Sequence, residues 1–93
     1  MFKLIFRLHA LQRIFSRNIS EEEVRFVVEN GEVIEKYEND TPYPSKLILG
    51  KFGLKALHVV AAVNDEDKEI IIITVYEPDP HLWDNNFKTR RQK

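Results

Sequence analysis

Two uninterrupted apolar runs constrain this chain most: His58-Val59-Val60-Ala61-Ala62-Val63 and Ile70-Ile71-Ile72-Ile73-Thr74-Val75. A strand with one wet face alternates apolar and polar residues, whereas these runs are apolar on both faces and belong at the centre of a sheet. Each is far too short to span a bilayer. They lie within strands expected over Lys55–Val63 and Lys68–Tyr76, joined through Asn64–Asp67, with a further strand over Lys46–Phe52 ending at Gly53. Upstream, Glu32–Glu38 reads as a short strand with Val33 and Tyr37 on one face and Ile34 on the other. Between them Pro42 and Pro44 make residues 39–45 a turn or loop, because proline removes a ladder donor. Pro78 and Pro80 end the last strand, leaving a tail over residues 79–93 that is partly irregular and anchored by Trp83 and Phe87.

The first third is helical. Ser20 and Glu23 form a capping box, Glu21-Glu22-Glu23 suit the positive end of a helix dipole, and Ile19 and Val24 stand where a hydrophobic staple needs them. Val24, Val27 and Val28 supply an apolar stripe, with Phe26 off it, so a helix is expected over residues 21–29. Asn30-Gly31 is its stop signal, glycine being the residue that tolerates a left-handed C-terminal turn. Before it, Phe2, Leu4, Phe6 and Leu8 alternate with Lys3, Ile5, Arg7 and His9. Leu4, Ile5, Leu8, Leu11 and Phe15 also share a helical face, so two periods compete. A short strand over 2–7 followed by a helix over 9–17 is the reading adopted. The fold class is α+β: two N-terminal helices, with the short strand before them, on a four-stranded mainly antiparallel sheet in one domain of residues 1–93.

Ninety-three residues with 43 % hydrophobic and 31 % charged side chains suit one folded domain. The chain has no cysteine, which excludes a disulfide framework, a thiolate zinc site and a thiol nucleophile, and fits a reducing cytoplasm. No secretory leader or membrane span is legible. Net charge is −1, so no global field draws the chain to nucleic acid. The distribution is uneven: Lys3, Arg7, Arg13 and Arg17 occupy residues 1–18 without an acid, and Lys88, Arg90, Arg91 and Lys93 close the chain. A phosphate-binding site should use these ends.

His9, Arg13 and Arg17 recur every fourth residue and so form one helical stripe, roughly opposite Leu11, Ile14 and Phe15. Two guanidiniums beside an imidazole can hold a phosphate and move a proton; the plainer reading is a solvated basic face paired to acids of the second helix. His58, alone in an apolar strand, is by type more often a satisfied core residue than a catalyst. A three-residue loop Asp65–Asp67 sets it opposite Thr74, and a two- or four-residue loop sets it opposite Ile73. Thr74 and Tyr76 share one side of the last strand, where they can donate to a phosphate or simply fill a sheet face. Tyr37, Tyr43 and Trp83 can stack bases or rim the core. Metal binding is not expected, since His9, His58 and His81 lack ligand spacing and Asp65-Glu66-Asp67 lacks the rest of a calcium loop. Neither a nucleotide loop nor a serine-hydrolase motif occurs.

Several segments in order resemble a family of short bacterial and archaeal proteins, the domain of unknown function numbered 4258. They are His9-Ala10-Leu11-Gln12-Arg13, Arg17-Asn18-Ile19-Ser20, Gly31–Tyr37, Asp40–Ser45, Leu47–Gly50, Leu57–Val60, Thr74–Asp79 and Trp83. Asn18 stands where the family often has glycine, and asparagine also accepts the left-handed conformation. The resemblance implies a fold similar to the RelE-like and barnase-related ribonuclease toxins, and a small antitoxin protein, often of zinc-finger type, as partner. It implies metal-independent cleavage of RNA with no cofactor. His9 and His58 become proton-transfer residues, Arg13 and Arg17 phosphate clamps, Thr74 and Tyr76 supporting donors, and Arg90 a third cation, with Tyr43 and Trp83 against the bases. An active site of this kind requires His9, Arg13, Arg17 and His58 to converge. A non-catalytic protein- or RNA-binding module instead predicts Arg13 and Arg17 paired to Glu21, Glu22 or Glu35. An oligomerising domain predicts an exposed Tyr43 and Leu47–Leu49 surface.

Overall fold

In a computed structural model, which describes residues 2–91, the chain forms β1 (Lys3–Phe6), α1 (Leu8–Ser16), α2 (Glu21–Asn30), β2 (Glu32–Tyr37), β3 (Ser45–Phe52), β4 (Lys55–Asn64) and β5 (Glu69–Tyr76). Lys93, counted above among the C-terminal cations, lies outside the described residues. The strands form one mixed sheet in the order β1-β5-β4-β3-β2. The two apolar runs take the inner positions β4 and β5, as patterns dry on both faces require.

The sheet has five strands, not four. β1 joins it as a parallel edge strand, pairing Lys3 with Glu69 and Phe6 with Ile72, and its flanks are tied by Lys3 N–H to the Lys68 carbonyl at 2.9 Å and Arg7 N–H to the Ile72 carbonyl at 3.0 Å. The period-two pattern of residues 2–7 therefore wins, because the free edge of β5 offers its backbone groups a partner. The remaining pairs are antiparallel.

α1 and α2 cover one face. Ala10, Ile14, Ile19, Val24 and Val27 pack with Ile48, Leu57, Val59, Ala61, Ile72 and Val75 in a single core. Fully burying each of the larger members contributes about 1.5–3 kcal/mol. The staple pair Ile19 and Val24 both belong to it, and the off-stripe Phe26 meets Phe52 edge-on with ring centroids 5.5 Å apart. Lys55 on β4 reaches Glu23 of α2 at 3.1 Å and the Asn18 carbonyl at 3.3 Å, fastening helix to sheet. Asn18 adopts φ 56, the left-handed turn its residue type allows.

Ser20 caps α2 as expected, its hydroxyl accepting from Glu23 N–H at 3.1 Å. Ser20→Ala should cost about 1 kcal/mol, seen as a lowered urea midpoint at constant slope. Gly31 departs from expectation: its φ is −78 and not left-handed. It is glycine because of crowding, since a Cβ there would stand 2.5 Å from the Val27 carbonyl oxygen and 2.6 Å from that of Leu49.

A bulge in β2 between Val33 and Glu35 changes the face assignment. Val33 pairs with Ile48 on the helix-covered side, while Tyr37 pairs with Ser45 on the other, so Val33 and Tyr37 do not share a face. Leu47, Ile48 and Leu49 are all buried, which removes the self-association surface expected there. Among the described residues no helix is long and apolar enough to cross a membrane.

Candidate functional site

The face of the sheet away from the helices is covered in part by the tail. Strand alternation sends Leu57 and Val59 into the helix-packed core and His58 to the opposite side. His58 is completely buried there (0 % exposed). The carbonyl of Phe87 can only accept, so His58 Nε2 donates to it at 2.8 Å. That leaves Nδ1 to accept from the Tyr76 hydroxyl at 3.2 Å. Trp83 packs edge-on against the imidazole at 4.5 Å and the Tyr76 ring lies at 5.2 Å.

His58 pairs with Tyr76 across β4 and β5, in neither of the registers expected. The connection spans residues 65–68, and β5 then carries a bulge at Ile73 between the Ala61–Ile72 and Val60–Thr74 pairs. The extra residue moves the register one further along, and no residue type marks that bulge. Thr74 consequently faces Val60.

Burial pushes the His58 pKa below its ordinary 6.5, against the opposing pull of the Phe87 carbonyl bond and the Glu35 charge. The folded state therefore holds the ring neutral while an unfolded chain takes up a proton below pH 6.5. Stability contributed by this residue is fully present above 6.5 and is lost as pH falls from there toward the folded value. The slope in that window has the sign of stability rising with pH and is bounded by about 1.4 kcal/mol per pH unit. Urea midpoints of wild type and His58→Gln, compared between about pH 5 and 8, should differ by that slope.

Two phenols share this face. Tyr37 donates to Glu35 at 3.1 Å. Burial, that bond and the Glu35 charge push its pKa up to about 12. Burial also raises Tyr76, where the Arg90 guanidinium opposes the shift and the Glu35 charge adds to it. Both hydroxyls keep their protons and act as hydrogen-bond donors.

Two grooves border the His58 cluster, one lined by Tyr76 and the other by Trp83. One, of about 500 Å³, is lined by Arg17 with Tyr76 and Glu77–Pro80. The other, of about 520 Å³, holds Glu35, Trp83, Lys88 and Arg90. In it Arg90 lies over the Trp83 ring at 5.5 Å and Lys88 pairs with Glu32 at 2.9 Å. Alongside the middle of β5, at Ile73, a cavity of about 350 Å³ brings Arg7 beside Tyr43, Asn39 and Thr41. The Tyr43 hydroxyl there accepts from the Asn64 amide at 3.1 Å.

The structure thus brings together Arg17, Tyr76, His58, Trp83 and Arg90, and sets Tyr43 apart. His9 and Arg13 remain on α1, exposed and half-buried, and line neither of these grooves. His58 is no free proton-transfer group, because both ring nitrogens are engaged inside the fold. Trp83 is buried against it and offers no open ring for a base. Arg13 and Arg17 form no ion pair among the described residues, contrary to the pairing that a bland basic face predicts. Sequence reading missed Glu35 and Arg7 as site residues. The i, i+2 spacing of Glu35 and Tyr37 was the available signal, since it puts both on one strand face.

These features define a small α+β domain whose helix-free sheet face, half-closed by its own tail, carries phenols, a carboxylate and cations. The chain belongs to the family described as Domain of unknown function (DUF4258), whose model matches residues 6–77. The matched span ends before Trp83, Phe87 and Arg90, the tail residues that close over His58. No curated protein and no solved structure matches the chain.

Proposed function

We propose that this chain is the RNA-cleaving member of a toxin–antitoxin pair, a metal-independent endoribonuclease with a RelE-like fold acting in the cytoplasm. The observation that carries the proposal is the place of Tyr76, a phenol kept protonated that shares a groove with Arg17 and feels the charges of Arg90 and Glu35. RNA lying across the helix-free face would put a phosphate between the two guanidiniums. Glu35 is the carboxylate placed to take the ribose 2′-hydroxyl proton. The 2′-oxygen then attacks phosphorus, a cyclic phosphate forms, and the 5′-oxygen leaves with a proton from water. Arg13 extends the cationic track along α1, with His9 one turn before it, and Thr74 on the strand of Tyr76 is a further donor, while Tyr43 is a donor apart from them. His58 acts as a positioning residue for Tyr76, and Trp83 as its support.

A non-catalytic RNA- or protein-binding module is the second reading, favoured by the engagement of both His58 nitrogens. One experiment separates them. Wild type, Glu35→Gln and Arg17→Ala are induced in a bacterial host, and each purified chain is incubated with RNA. Wild type should arrest growth and cut RNA, and each variant should cleave about 100-fold more slowly or less. A folded wild type that binds RNA without cutting it would establish the second reading and end the first.

A further inference from the structure

β1 ends the sheet on one side, with β5 as its neighbour. The N–H groups of Lys3 and Arg7 point inward, to the carbonyls of Lys68 and Ile72. These directions alternate along a strand, so the N–H and C=O groups of Leu4 and Phe6 point away from β5. No strand lies beyond them among the described residues. An open row of this kind is a template for another strand. The side chains alternate as well. Leu4 and Phe6 pack toward the helix-covered core, and Lys3, Ile5 and Arg7 take the other side. Lys3 and Arg7 are exposed. Neither forms an ion pair among the described residues, although Glu69 stands beside Lys3 in the ladder. On the helix-covered side, Phe2, Leu4, Val28 and Ile70 line a cavity of about 360 Å³. Arg25 and Glu29 complete its wall and pair with each other at 4.0 Å, so their charges are already matched.

We infer that the free edge of β1 is the docking site for an extended segment of another protein, which joins the five-stranded sheet as a further strand. Its residues alternate carboxylates, facing Lys3 and Arg7, with apolar side chains, one of them entering the cavity beside Leu4. Backbone pairing supplies the affinity, and the alternation supplies register and specificity. A second copy of this chain is disfavoured. The two-fold antiparallel register that uses the outward groups of Leu4 and Phe6 in both copies centres on Ile5. Arg7 is still extended, at φ −70 and ψ 156, so this register sets Lys3 of each copy directly opposite Arg7 of the other. Like charges so placed repel. The cations that keep two copies apart thus select an acidic partner. RNA would answer the cations and leave the backbone groups of Leu4 and Phe6 to water. The opposite edge, β2, is a poorer template. A bulge between Val33 and Glu35 interrupts its row, and Glu32 is held by Lys88 of the tail. The β1 site does not rest on the nuclease reading, because it stands whether or not the chain cuts RNA.

The test uses the full chain and a synthetic peptide of about nine residues that alternates glutamate with valine, with a lysine-for-glutamate peptide as control. When the acidic peptide binds, amide exchange read by NMR should slow about tenfold or more at Leu4 and Phe6. The Lys3 and Ile5 amides, already turned to β5, should change far less. Of two acidic peptides N-methylated at alternate residues, the one that loses its donors toward β1 should fail to bind and the other should still bind. Lys3→Gln with Arg7→Gln should weaken binding about tenfold or more, as should raising the salt. A urea midpoint checks the folding of that double variant, and the exchange result on wild type decides the matter should it not fold. Failure of the acidic peptide to bind, equal binding of the lysine peptide, or binding that leaves the Leu4 and Phe6 amides unprotected would overturn the proposal. So would a wild-type dimer with those amides protected without peptide, which would make a second copy the occupant.

Discussion

His58→Ala should destabilise the domain by about 3–4 kcal/mol, a large share of the roughly 5–15 kcal/mol by which such domains are stable. The alanine removes a ring that is fully buried and packed against both Trp83 and Tyr76. It also strands the Phe87 carbonyl and the Tyr76 hydroxyl, each of which loses its partner inside the fold. The loss should appear as a lower urea midpoint together with faster proteolysis of the tail, because Phe87 and Trp83 dock on that ring. His58→Gln, able to donate toward Phe87 from its amide, should recover part of the stability. A catalytic residue on an open face would behave differently, with activity lost and the midpoint unmoved. If the wild type arrests growth, loss of that arrest in His58→Ala says nothing about chemistry until its folding has been measured.

Gly31→Ala should cost about 2–3 kcal/mol, an effect out of proportion to one methyl group. The new carbon would meet two backbone oxygens and Ile48 Cγ2, the last at 2.7 Å, and neither α2 nor β3 can withdraw without opening the core around Val27. At φ −78 the backbone itself is open to any residue, so the penalty is steric throughout. Asparagine, which satisfies a left-handed position, should not rescue it. Gly53 offers the contrast: at φ 66 with open space around it, Gly53→Ala should cost about 1 kcal/mol from backbone conformation alone. Urea titration of Gly31→Ala, Gly31→Asn and Gly53→Ala distinguishes crowding from conformation.

Much of the fold was legible because local signals agreed with global ones. The Ser20–Glu23 cap, the Ile19–Val24 staple and the apolar runs of β4 and β5 each dictate their own structure. The place of residues 2–7 was harder, since two periods fit, and what decides between them is the unpaired edge of β5 far along the chain. The bulges at Ile34 and Ile73 were invisible, and they decide which side chains meet. One gives Tyr37 and Glu35 to the helix-free face and the other sets Tyr76 opposite His58. Of the candidate site, Arg17, Tyr76 and Arg90 were readable as residue types. Their adjacency was not, because it depends on a bulge and on a tail with no periodic pattern.

The pairing of β1 with β5 also orders events during synthesis. Of the five strands, β1 is made first yet is among the last to be secured, because its hydrogen-bonding partners lie at residues 69–72. Until those residues emerge, Leu4 and Phe6 have no strand to lie against, and the local contacts between α2 and β3 must hold the nascent chain together. The N-terminal strand is thus the clasp of the domain, fastened once the remainder of the sheet has been laid down.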